Sequence, residues 1–134
     1  MSELRAAHAV LDCETHYVCA IRTGGHKLAA DEPRSNGGTD TGPSPYDLVL
    51  SGLAACTAIT LRMYADRKGW PLGRIHVDLE LYKDEQTKAD RIARTISFGA
   101  TLDAEQKARL AEIAEKTPVT KTLKAGAKIE TKVL

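Results

Sequence analysis

The chain has 134 residues, which fits one domain, and a domain of that size buries roughly two-thirds of the surface its unfolded chain exposes. Its 19 Lys and Arg nearly balance 18 Asp and Glu, a formal charge of +1, so no strong field is available to gather nucleic acid or anionic lipid. Aromatic residues make up 4%, too few to build a stacking platform for single strands.

The opening stretch Met1-Ser2-Glu3-Leu4-Arg5-Ala6 lacks the apolar core of a signal peptide. Cys13, Cys19 and Cys56 are an odd set without framework spacing, unlike a secreted disulfide scaffold. The expectation is a soluble cytoplasmic protein with reduced thiols, with no membrane or nucleic-acid partner. Residues 8–31 then read as strands: one around Ala7 to Asp12, one over His16 to Arg22, a turn at Thr23-Gly24-Gly25-His26, and a return over Lys27 to Ala30. Residues 32–45 form a long loop of Gly, Pro and small polar residues, and loops of that length in compact domains are often functional.

A helix follows. Ser44 can cap it, Pro45 suits its first position, and Asp47 completes a capping box with Asp in place of Glu. Gly69 stops it after Lys68, for a length of roughly 36 Å. Its first half, Leu48 to Ile59, is apolar all round and is expected to be buried all round. The apolar run itself is shorter than the ~20 residues that span a bilayer. Two alternating strands come next: Ile75, Val77, Leu79 and Leu81 share a face, and Ile96, Phe98, Ala100 and Leu102 repeat the pattern across a polar hairpin loop, Lys83 to Asp90. Asp103 with Gln106 caps a second helix over about 104–116. Thr117-Pro118 opens a short helical turn ending near Gly126, and a final strand is expected from Lys128 to Val133. Runs of adjacent strands point to an α+β fold with largely antiparallel sheets. The greasy half-helix, with Gly52, Ala55 and Cys56 permitting close approach, calls for a partner helix from a second copy in a two-fold dimer.

Cys56 lies in the middle of the apolar run, among Ala, Gly and Thr, where a backbone or a small substrate can approach closely. It is the best candidate for chemistry, set against the bland reading of a thiol that fills space. An ordinary thiol is only a few per cent ionised at neutral pH, so Cys56 needs a cation or donor nearby. Arg62 falls on the far side of the helix and Tyr46 lies about 15 Å back along it. Any activator must come from the loop, the sheet or the other subunit. The histidines (His8, His16, His26 and His76) show no metal spacing, the glycine loop lacks a P-loop ending, and no cofactor is expected.

The combination Gly42-Pro43-Ser44-Pro45-Tyr46-Asp47-Leu48, Ala54-Ala55-Cys56-Thr57-Ala58 and Leu61-Arg62-Met63-Tyr64-Ala65 resembles the OsmC/Ohr family of osmotically inducible and organic hydroperoxide resistance proteins. Asp31-Glu32-Pro33, Gly37-Gly38 and Thr117-Pro118-Val119 with Thr122-Leu123 extend the likeness from about Gly24 to the C-terminus. The resemblance implies an OsmC-like domain over 1–134, with antiparallel sheets wrapped around a long central helix in an intertwined homodimer. It also implies thiol-dependent reduction of organic hydroperoxides at Cys56, with a loop arginine, here Arg34, activating the thiol, oriented by Asp47 or Tyr46. Members of the family often use a second cysteine to resolve the sulfenic acid, and lipoyl-bearing proteins to re-reduce the disulfide. Here the resolving position is Thr117 and the conventional Glu is Tyr46, as in an OsmC-like branch lacking the resolving cysteine. An external thiol, of lipoyl type or another, would then regenerate Cys56. Cys13 and Cys19 could serve only if a Cα pair came within about 7 Å; otherwise they are small strand residues. The alternative is a non-catalytic relative that binds a small apolar or electrophilic ligand in the dimer cleft.

Overall fold

A computed structural model describes residues 4–134; Met1-Ser2-Glu3, part of the stretch read for a leader, lie outside the described residues. The chain falls into two compact units, one ending at Val49 and one running from Leu50 to Leu134. The class is α+β with antiparallel sheets and one long helix.

The first unit holds β1 (Ala9–Asp12), β2 (Cys19–Thr23) and β3 (His26–Ala30) in an antiparallel sheet of order β1-β2-β3. Gly24 and Gly25 both take positive φ at the β2–β3 turn, a conformation that costs glycine little. The loop after β3 is ordered by one buried carboxylate. Asp31 accepts hydrogen bonds from the backbone N–H of Glu32, Thr39 and Thr41 and from the Thr39 hydroxyl. The Thr41 N–H and the Thr39 hydroxyl, outweighing burial, hold the carboxyl well below the usual aspartate range. Within the loop, Arg34–Asn36 make a 3-10 turn. Gly38 passes so close to the Glu32 carbonyl that a Cβ there would clash with backbone.

Helix α1 (Pro45–Lys68) begins as its residues dictate: the Asp47 N–H donates to Ser44 Oγ at 3.2 Å and the Ser44 N–H to Asp47 Oδ2 at 3.1 Å. It ends in a Schellman motif, Gly69 N–H to Asp66 O and Trp70 N–H to Ala65 O, with Gly69 at φ +71°. Trp70 packs edge-on against Tyr64. Length and composition alone would allow α1 to cross a membrane, but its inward stripe, Leu53, Thr57, Leu61 and Ala65, is buried.

In the second unit β4 (Ile75–Lys83) pairs antiparallel with β5 (Asp90–Phe98). Ile75, Val77, Leu79 and Leu81 face inward, and their neighbours are exposed. Helix α2 (Ala104–Ala114) carries the expected Asp103–Gln106 capping box, and α3 (Pro118–Ala125) is capped by Thr117. Leu61, Ala65, Leu72, Leu102, Leu110 and Ala114 form the core.

Two expectations are corrected. The first half of α1 is not buried all round: Ile59 is 54% exposed and Val49 is exposed too. In one chain the helix has a single buried stripe, and apolar side chains on its other side are partly or largely exposed. The strand from Lys128 to Val133 is also missing. Residues 127–134 have no strand partner among the described residues, and Ile129 and Val133 are 85% and 90% exposed. Alternation alone does not make a strand; a partner segment must pair with it.

Candidate active site

Helix α1 and the start of α3 build the site around Cys56, which is half-buried on α1. Its Sγ accepts a hydrogen bond from the Val119 N–H at 3.5 Å and lies 3.9 Å from Thr60 Oγ1. Val119 is the second residue of α3, where backbone N–H groups have no intrahelical acceptor and the helix dipole is positive.

A half-buried arginine ties these segments together. Arg94 stands on β5, its side chain 12% exposed. Nη1 donates to Thr57 Oγ1 at 2.9 Å and to Thr120 Oγ1 at 3.0 Å. Nη2 donates to the Ala114 carbonyl at 2.9 Å and to Glu115 Oε2 at 3.0 Å. Thr57 follows Cys56 in sequence and Thr120 follows Val119, so one guanidinium binds the segments carrying the thiol and its donor. Glu115 is held below the usual glutamate range by Lys124 and, less strongly, by Arg94. Beside this network opens a cleft of about 530 Å³, with Leu53, Ile92 and Leu123 supplying apolar wall and Arg94, Glu115 and Lys124 charge.

Thr117 is fully buried. Its hydroxyl accepts from the Thr120 N–H and shares a hydrogen bond with Thr120 Oγ1. Arg34, Tyr46 and Asp47 belong to the first unit and Cys56 to the second. Arg34 is exposed on the 3-10 turn, Tyr46 is exposed in the first turn of α1, and Asp47 caps that helix. Arg62 reaches the Gly73 carbonyl.

A family model for OsmC-like proteins matches residues 38–132. The chain belongs to the OsmC-like family. Its α+β fold, with antiparallel sheets and a long central helix, recurs in solved OsmC-like and organic hydroperoxide resistance proteins. One is an organic hydroperoxide resistance protein OsmC from Legionella pneumophila (20% identity, 91% of each chain covered, TM-score 0.68). Another is an OsmC-like protein from Mycoplasma pneumoniae (20% identity, 92% of this chain and 89% of that one, TM-score 0.67). A third is the organic hydroperoxide resistance protein OhrB of Bacillus subtilis (24% identity, 90% of this chain and 91% of that one, TM-score 0.60). No curated protein matches the sequence significantly. In the OsmC-like fold α1 is a core helix.

Sequence reading passed over Arg94, although strand alternation puts it on the face of Ile96 and Phe98, where a charge needs partners. The Val119 N–H left no side-chain signal; only the Thr117-Pro118 cap marked where a helix would present free donors.

Proposed function

We propose that this OsmC-like protein is a thiol-dependent peroxidase that reduces organic hydroperoxides at Cys56 and is regenerated by an external thiol. The observation that carries this reading is the Val119 N–H held 3.5 Å from Cys56 Sγ at the start of a helix. The thiolate attacks the terminal oxygen of the hydroperoxide and the O–O bond breaks. The alkoxide leaves as an alcohol once protonated, and Cys56 becomes a sulfenic acid. A reductant thiol then forms a mixed disulfide with loss of water, and a second thiol releases Cys56 reduced. With Thr117 at the resolving position, the chain falls in the branch without a resolving cysteine, and a lipoyl-type dithiol suits the reductant's role.

We place the working form as a cytoplasmic homodimer, both units of each chain acting as one OsmC-like domain. At 100° per residue, Val49, Gly52, Ala55, Ile59 and Met63 share an exposed face of α1, and Cys56 borders it. A second copy on that face would wall the thiol, and its sheet would offer the edge that residues 128–133 lack. Arg34 from the glycine loop, oriented by Asp47 or Tyr46, is the further activator in this reading.

The test is cumene hydroperoxide added to reduced protein, with sulfenate trapped and mapped by mass spectrometry and Cys56→Ser as control. Modification of Cys56 faster than that of a free thiol is expected; an equal or slower rate refutes catalysis. A second reading, a non-catalytic binder of a small apolar or electrophilic molecule, is favoured by the buried Thr117 and by the cleft beside Arg94. It predicts ligand retention without turnover.

A further inference from the structure

The first unit carries two thiols apart from Cys56. The β1–β2 register pairs Leu11 with Ile21 and ends at Asp12 with Ala20; Cys13 follows β1 directly and Cys19 opens β2, so the same register continued by one step would set the two opposite each other. Directly opposed residues of an antiparallel pair point to the same face, with Cα atoms about 4.5–5.5 Å apart. That lies within the roughly 4.4–6.8 Å span of a disulfide. Both thiols reach into the same turn. Cys13 Sγ donates to the His16 carbonyl at 3.3 Å and Cys19 Sγ to the adjacent Tyr17 carbonyl at 3.4 Å. Cys13 is exposed and Cys19 half-buried. Burial foremost, then Cys13 and Asp31, push the Cys19 thiol up, which marks the two cysteines as near neighbours.

We infer that Cys13 and Cys19 form a redox dithiol that closes to an intrachain disulfide by exchange with a low-molecular-weight disulfide such as oxidised glutathione. The exposed Cys13 thiolate attacks one sulfur of that disulfide, whose S–S bond breaks and expels one thiolate. Cys19 then attacks Cys13 in the mixed disulfide and expels the second. The two protein thiols lose two electrons and two protons, and the small disulfide leaves as two thiols. The closed ring would fix the turn whose His16 Nε2 donates to the Gly37 carbonyl at 2.7 Å, and so brace the glycine loop.

The pair is separate from Cys56, and its test removes that thiol. Full-length Cys56→Ser protein is equilibrated in glutathione buffers from fully reduced to fully oxidised, quenched with an alkylating agent and digested with trypsin. Residues 6–22, which contain no internal Lys or Arg, leave as one peptide holding both cysteines. The expected result is a peptide lighter by two hydrogens and carrying no alkyl group, lost when Cys13→Ser is added. Persistence of the doubly alkylated peptide in fully oxidised buffer, glutathione adducts on the separate cysteines, or a link between chains would each overturn the inference.

Discussion

Arg94 and Thr57 are joined by a 2.9 Å hydrogen bond across β5 and α1, one residue from Cys56. The same guanidinium binds Thr120, next to the Val119 N–H that meets the thiol. Removing it strips partners from two threonine hydroxyls and the Ala114 carbonyl, in a region where Thr57, Thr120 and Ala114 are all buried. Arg94→Ala is therefore expected to lower stability by about 3 kcal/mol in chemical denaturation. Arg94→Lys should recover only part, because a single ammonium cannot reproduce the planar fork. If Arg94 also positions the thiol, the alkylation rate of Cys56 in native buffer should change in both variants, a readout that a merely distant loss of stability leaves untouched.

Thr117→Cys offers a direct check on the resolving position. Thr117 opens the segment that brings Val119 to Cys56, so peroxide treatment should yield a disulfide between the introduced thiol and Cys56. Peptide mapping would show the cross-link. Loss of the hydroxyl cap on Thr120 N–H should cost about 1 kcal/mol. Appearance of only over-oxidised Cys56 would show that the two positions do not meet.

The acid limb of stability should report Asp31. Its carboxyl is held below the ordinary range by the loop's donors, so the stabilisation is complete above the unfolded value of about 3.9. It is lost as pH falls below that value toward the lower folded one. Glu115 and Asp84 are shifted in the same direction. Calorimetry from pH 7 downward should find Asp31→Asn less stable than the parent at neutral pH, with a shallower fall of Tm on acidification. Parallel curves would contradict this.

Dimerisation is tested at Ala55, exposed in the single chain on the same face as Ile59 and Met63. Ala55→Glu places a charge where two helices would touch, and burying it unpaired is costly. Light scattering after size exclusion should show the parent as a dimer and the variant as a monomer. A monomeric parent at micromolar concentration would remove the dimer from the proposed function.

What the sequence made legible was local. The start of α1 could be read because Ser44, Pro45 and Asp47 act on groups within one turn, and its end because Gly69 alone supplies the left-handed residue there. The alternation of β4 and the Asp103 cap were readable for the same reason. What stayed hidden depends on residues far apart in the chain. The Arg94 hydrogen bonds span 20 to 37 positions, and the Val119 donor stands 63 positions from Cys56. Asp31 stood only at the end of the strand stretch, before the loop whose Thr39 and Thr41 fold back onto it as donors. The expected last strand failed because pairing is a property of two segments, and alternation within 128–133 says nothing about the second.

Arg94 also sets terms for how this sequence can drift. Replacing it alone takes a charged donor from Thr57, Thr120 and the Ala114 carbonyl, while replacing the two threonines alone takes both acceptors from Nη1, and either intermediate is less fit to fold than its parent or its descendant. Positions 57, 94 and 120 should accordingly change together among close homologues, as a polar trio or as an apolar one, and seldom one at a time.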